Sequence, residues 1–242
     1  MHQAVVGNVP LAVIFCVPVG LALGRPACRA AAWMESRRGL VPSRPSPARS
    51  LASGAALAVA FSSLAVRLGP SPSFLGLSLL AASLVVASLV DLDCRLIPNG
   101  CILAGVAARL LSLAFAGASG ALAPGDLARL LARSAISAGA AFALLSFLAL
   151  VMDRILGGAS VGGGDVKLVS VVALHLGLAK AIVAVLVACA LGIASWSVPR
   201  RVRGSEGRGD GTFAWGPSIA VASWLSALWG DQAVAWYLSL LV

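Results

Sequence analysis

The chain has 242 residues, 60% of them hydrophobic and 11% charged, with a mean hydropathy of +0.97. Those values exclude an ordinary soluble domain and describe an integral membrane protein. The net charge of +9 does not indicate nucleic acid, because the basic residues cluster between apolar runs and no aromatic-interleaved basic patch is present.

In chain order, an apolar run from Ala4 to Gly24 reads as a retained first helix, since Met1-His2-Gln3 lacks the basic start of a secretory signal. Arg25 to Ser50 reads as a polar loop, with Arg25, Arg29, Arg37, Arg38, Arg44 and Arg49 against one acid, Glu35. A second helix is expected from Leu51 to Leu68. Gly69-Pro70-Ser71-Pro72 then turns the chain into a third that ends at Asp91. A loop from Asp91 to Asn99 leads to a fourth helix, Gly100 to Ala118, with Pro98 and Asn99 at its start. The link from Ser119 to Arg133 carries Pro124-Gly125-Asp126, which can cap a short interfacial helix. A fifth helix covers Ser134 to Met152, and a glycine-rich loop runs to Asp165. Val166–Leu176 and Lys180–Val198 form two more around Gly177, the first of them short for a full span. The final run, Trp215 to Val242, holds Trp224, Trp229, Trp236 and Tyr237, which suit an interfacial belt. The expected fold is all-α: a polytopic transmembrane bundle of about eight helices, one membrane domain over residues 1–242.

Placing the basic loop 25–50 in the cytoplasm fixes the other ends by alternation. With Lys167 counted beside its neighbouring loop, 13 of the 18 Lys and Arg residues then fall on the cytoplasmic side. The same alternation brings Asp91 and Asp165 to one membrane face. Cys16, Cys28, Cys94, Cys101 and Cys189 form no Cys-x-x-Cys pair, which leaves a disulfide framework or a zinc site without support.

Asp91 closes an apolar run, Ser73 to Val90, that contains no ionisable side chain, and Asp165 follows three consecutive glycines. Two carboxylates in a partly desolvated site do not both ionise easily. One keeps a proton while the other accepts one from water, an arrangement able to hydrolyse an amide. Gly162 and Gly164 free the backbone to take positive φ and to let a substrate strand approach, and Lys167 can tune the acid or hold the loop. Against this stands a plainer account, in which a boundary aspartate is a helix cap, Asp93 and Arg95 are solvated loop charges, and the glycines make an ordinary loop.

Asp91-Leu92-Asp93-Cys94-Arg95-Leu96-Ile97-Pro98-Asn99 resembles the first motif of prepilin peptidases, and Gly162-Gly163-Gly164-Asp165-Val166-Lys167-Leu168 resembles their second, Gly-x-Gly-Asp-x-Lys-Leu. Phe213-Ala214-Trp215-Gly216-Pro217 is a looser echo of the Phe-Gly-Pro element found before their last helix. The resemblance implies a polytopic aspartic protease with a core over 73–242 that cuts the leader from type IV pilin-like precursors at the cytoplasmic face of the inner membrane. It implies that Asp91 and Asp165 are catalytic and that Gly162, Gly164, Lys167, Asp93, Pro98 and Asn99 support them, with no metal and no cofactor. Larger family members carry a cytoplasmic insert with paired cysteines, associated with N-methylation. The loop here is short and holds only Cys28, which puts a methyltransferase activity in doubt.

Two rival readings come from other classes. Gly117-Ala118-Ser119-Gly120 resembles the Gly-x-Ser-Gly of rhomboid proteases, with His175 as the base of a Ser119/His175 pair. Membrane acids also mark ion paths, so a transporter or non-catalytic scaffold is the second rival. Arg109, the one charge well inside an expected span, has no partner identifiable from sequence.

Overall fold

In the computed structural model the described residues are 9–158, 161–197 and 214–240, and among them are eight α-helices and no strand. They are α1 (Val9–Ser36), α2 (Pro47–Leu68), α3 (Pro72–Cys94), α4 (Asn99–Ala118), α5 (Pro124–Leu156), α6 (Gly163–Leu176), α7 (Leu178–Ser197) and α8 (Gly216–Ser239). Six of these, α1 to α5 and α7, are long and apolar enough to cross a membrane. The protein is a multi-pass membrane bundle.

Local chemistry explains most of the boundaries. Ser46 and Ser71 cap α2 and α3, their hydroxyls accepting from the Arg49 and Phe74 amides, each followed by a proline in the first turn. Gly157, at φ 71°, ends α5, and Gly177, at φ 83°, separates α6 from α7.

Three expected boundaries are corrected. The polar loop expected over 25–50 is helical as far as Ser36 and again from Pro47, so Arg25 and Arg29 ride on α1. A proline inside a helix costs about 3 kcal/mol. Pro26 is nevertheless accommodated, because Ala27, Cys28 and Ala31 beyond it are buried in a cluster with Leu57, Phe61 and Val90. The helices α1 and α2 meet at very short range. A Cβ on Gly20 would come within 2.3 Å of the Ala58 nitrogen, and one on Gly54 within 2.8 Å of the Leu21 carbonyl oxygen, the small-residue contact that substitutes for hydrophobic driving force in lipid.

Pro124-Gly125-Asp126 does not form a separate interfacial helix but opens a continuous α5 of 33 residues, about 50 Å long. Proline at the first turn loses no hydrogen bond there and Asp126 meets the positive helix end, so signals that start a helix do not interrupt it. Lastly, α3 runs past Asp91 to Cys94, ending where Arg95 takes a left-handed conformation (φ 51°) and its N–H donates to the Asp91 carbonyl at 2.8 Å.

The centre of the bundle is α6. Its residues Val166, Leu168, Val169, Val171 and Val172 are buried on every side, against Leu80 and Leu84 of α3, Ala184 and Ala188 of α7 and Ile219 of α8. A helix that is apolar all round belongs inside a core, which accounts for a 14-residue element too short to span. By contrast α5 buries few side chains and turns Ile136, Phe147 and Ile155 outward, as a lipid-facing helix does.

Candidate active site

Asp91 sits in the last turn of α3 with only 5% of its surface exposed. Burying a carboxylate without a partner is costly, and the partner here is the main chain of α8: the Gly216 N–H donates to Asp91 Oδ2 at 2.7 Å. Glycine is required there because a Cβ at 216 would lie 2.9 Å from that oxygen and 3.1 Å from the Asp91 Cβ. Trp215, just before it, donates its indole N–H to the Ala188 carbonyl of α7 at 3.2 Å and fixes the start of α8. Phe213, the first residue of that motif, lies outside the described residues.

Asp165 occupies the first turn of α6, half-buried, where the helix dipole favours negative charge. Burial and the neighbouring Asp91 carboxylate nonetheless push it up to about 7, against a weaker opposing hydrogen bond from the Gly162 backbone. The two acids, 74 positions apart in sequence, therefore act on one another electrostatically at the same end of the bundle.

The glycines around Asp165 serve differently from the expectation. None of residues 162–164 has positive φ; Gly162 is extended (φ −66°, ψ 133°) and Gly163 and Gly164 are helical. What matters is the missing Cβ. At Gly162 it would stand 2.7 Å from Asp165 Oδ2, and at Gly164 3.0 Å from the Ile97 Cβ, so Gly164 lets α6 lie against the segment that follows α3. Pro98 is the residue before α4 and Asn99 its first, as expected. Lys167 is exposed and takes part in no ion pair among the described residues.

Asp93 is an exposed charge, but it lies on a helix rather than in a loop. It is on α3, accepts from both terminal guanidinium nitrogens of Arg49 (3.0 Å to Oδ1), and lies beside the Glu35 carboxylate. Arg49 further donates to the Leu89 carbonyl at 2.9 Å, and Glu35, with no exposed surface, accepts from the Ser43 amide at 2.6 Å. This network braces the end of α3 two residues from Asp91. In the sequence, Glu35 as a lone acid among six arginines is the one signal of this network.

Ser119 and His175 do not form a pair. The His175 Nε2–H donates to the Gly105 carbonyl at 2.9 Å, whereas Ser119 follows the end of α4, about 21 Å further along that helix at 1.5 Å per residue. Among the described residues no three His, Cys, Asp or Glu side chains gather as metal ligands would.

Residues 78–197 match the model of the type IV leader peptidase family. No curated protein and no solved structure matches the chain. The matched segment runs from α3 through α7 and contains both aspartates and the glycines before Asp165. With the two motifs, the all-helical membrane fold and the family match in agreement, this chain belongs to the type IV leader peptidase family and is a protease of that general kind.

Proposed function

We propose that the protein is an aspartic endopeptidase that removes the N-terminal leader of a type IV pilin-like precursor. The observation that carries this reading is the coupling of Asp165 to Asp91, which holds Asp165 protonated up to about pH 7 beside an Asp91 carboxylate stabilised by the Gly216 N–H. In the reaction Asp91 takes a proton from water as it attacks the scissile carbonyl. Asp165 donates its proton to the carbonyl oxygen, and collapse of the tetrahedral intermediate passes a proton to the departing amine. Gly162 keeps the approach to Asp165 free of a side chain, Gly164 lets α6 pack against Ile97, Asp93 acts through Arg49 to hold α3, and Pro98 and Asn99 set the start of α4. Lys167, exposed two residues beyond Asp165 on α6, is placed to meet the precursor. The chemistry needs no metal or cofactor.

We place the site at the cytoplasmic face of the inner membrane on the distribution of basic residues, and extend the functional core to 73–242 because α8, beyond the matched segment, supplies the Gly216 donor. The partners are the precursor and the bilayer. The test is processing of a pilin-like precursor in membranes. Asp91→Asn and Asp165→Asn are each expected to abolish cleavage while the protein still inserts, and Ser119→Ala to leave cleavage intact. Cleavage by either Asn variant at the wild-type rate would overturn the assignment.

A further inference from the structure

At the other end of the bundle lies a cavity of about 520 Å³, with polar and apolar walls, between α4, α5, α8 and the turn joining α6 to α7. It is remote from the aspartates. Leu176 is 11 residues past Asp165 along α6 and Asp231 15 past Gly216 along α8, about 16 and 22 Å of helix rise. Three cationic side chains line it: Arg109, Arg133 and Lys180. Lys180 is paired with Asp231 at 3.2 Å, and Asp231 is the sole acid in the lining.

The other two cations have no carboxylate partner among the described residues. Arg109 donates through Nε and Nη2 to the Ser134 hydroxyl, at 3.2 and 2.8 Å, and through neither to an anion. A guanidinium at this depth, 10 residues into α4, is expensive unless neutralised, and its planar fork matches an oxyanion. The cavity wall also includes Leu178, Ala179 and Lys180, the first turn of the 20-residue α7, whose amides have no partner within the helix and add positive potential. His175 stands at the same wall with its Nε2–H committed to the Gly105 carbonyl. Basic side chains, a helix N-terminus and an excess of two positive charges thus converge on one space bordered by Leu130, Leu174, Val234 and Leu238.

We infer that this cavity binds the phosphate of an anionic phospholipid head group from the leaflet opposite the aspartates. A cationic pocket between transmembrane helices, with apolar walls for the acyl chains, fits a phosphodiester that is itself anchored in the bilayer better than a free ion. This does not depend on the proteolytic reading.

The test uses the full chain, purified and stripped of lipid in detergent, with bound lipid counted by native mass spectrometry and unfolding followed thermally. Phosphatidylglycerol is expected to bind about tenfold more tightly than phosphatidylcholine and to raise the unfolding temperature, with inorganic phosphate doing neither. Arg109→Gln combined with Arg133→Gln should reduce phosphatidylglycerol to the level of phosphatidylcholine. Arg133→Gln alone, at an exposed position that does not threaten folding, should remove part of the preference, and Arg129→Gln, an exposed control on α5 paired with Asp126, none of it. Equal binding of the two lipids by the wild type, an undiminished preference in the Arg133 variant, or protection by inorganic phosphate as large as by phosphatidylglycerol would each overturn the inference.

Discussion

Asp165 and Asp91 differ in what surrounds them, and the difference sets a pH dependence. Asp165 is raised from 3.8 to about 7, so the state with one shared proton is depleted as pH rises through about 7. Cleavage of precursor, assayed across that range, should fall on the alkaline side. The linked effect on stability has a definite sign. The folded protein binds a proton that the unfolded chain releases above 3.8, so this group's contribution is fully present below 3.8 and is lost as pH approaches about 7. Asp165→Asn should abolish that loss: the thermal stability of the wild type is expected to fall between about pH 4 and pH 7 relative to the variant. Gly216→Ala forces a methyl group against the Asp91 carboxylate, and precursor cleavage should drop about 10- to 100-fold in a protein that still inserts. The two acids were legible in the sequence because an ionisable group at the edge of an apolar run is conspicuous. Gly216 was visible only as part of a loose motif, because a main-chain donor 125 residues from its acceptor leaves no mark on the acceptor's surroundings.

At the level of elements, apolar runs bounded by proline, serine and glycine were enough to number the helices and to place most of their ends. They failed where packing overrides local preference. The polar loop expected from Arg25 is one case: α1 continues through Pro26 to Ser36 because Ala27, Cys28 and Ala31 are buried. Gly20, Gly24 and Gly54 carry a close backbone approach of α1 to α2 that helix boundaries alone do not reveal. Gly20→Ala should therefore destabilise the protein by roughly 1 to 3 kcal/mol, measured as a shift in detergent-induced unfolding, through overpacking against the Ala58 backbone. The role of Glu35 and Arg49 was hidden for a related reason. Expected as loop residues, they stand instead on helices that face α3, where a polar network can be shielded.

For the molecule as a whole, the arrangement has a polar chemistry at each end of an apolar bundle: acids beneath the start of α6 and cations beyond its end. The proposed orientation puts the acids in the cytoplasm. In a chain with its five cysteines replaced, Leu156→Cys should react with an impermeant maleimide only from the cytoplasmic side and Ser119→Cys only from the other, scored by labelling of intact cells against opened ones. The tie between Asp91 and α8 also has a bearing on how this protein can be dissected genetically. Because the donor is a peptide nitrogen, no side-chain substitution along α8 removes it, and a conventional scan would register the crowding introduced at position 216 rather than the loss of the hydrogen bond. Only an edit to the polypeptide backbone, such as replacing the Gly216 amide with an ester, isolates what that nitrogen contributes.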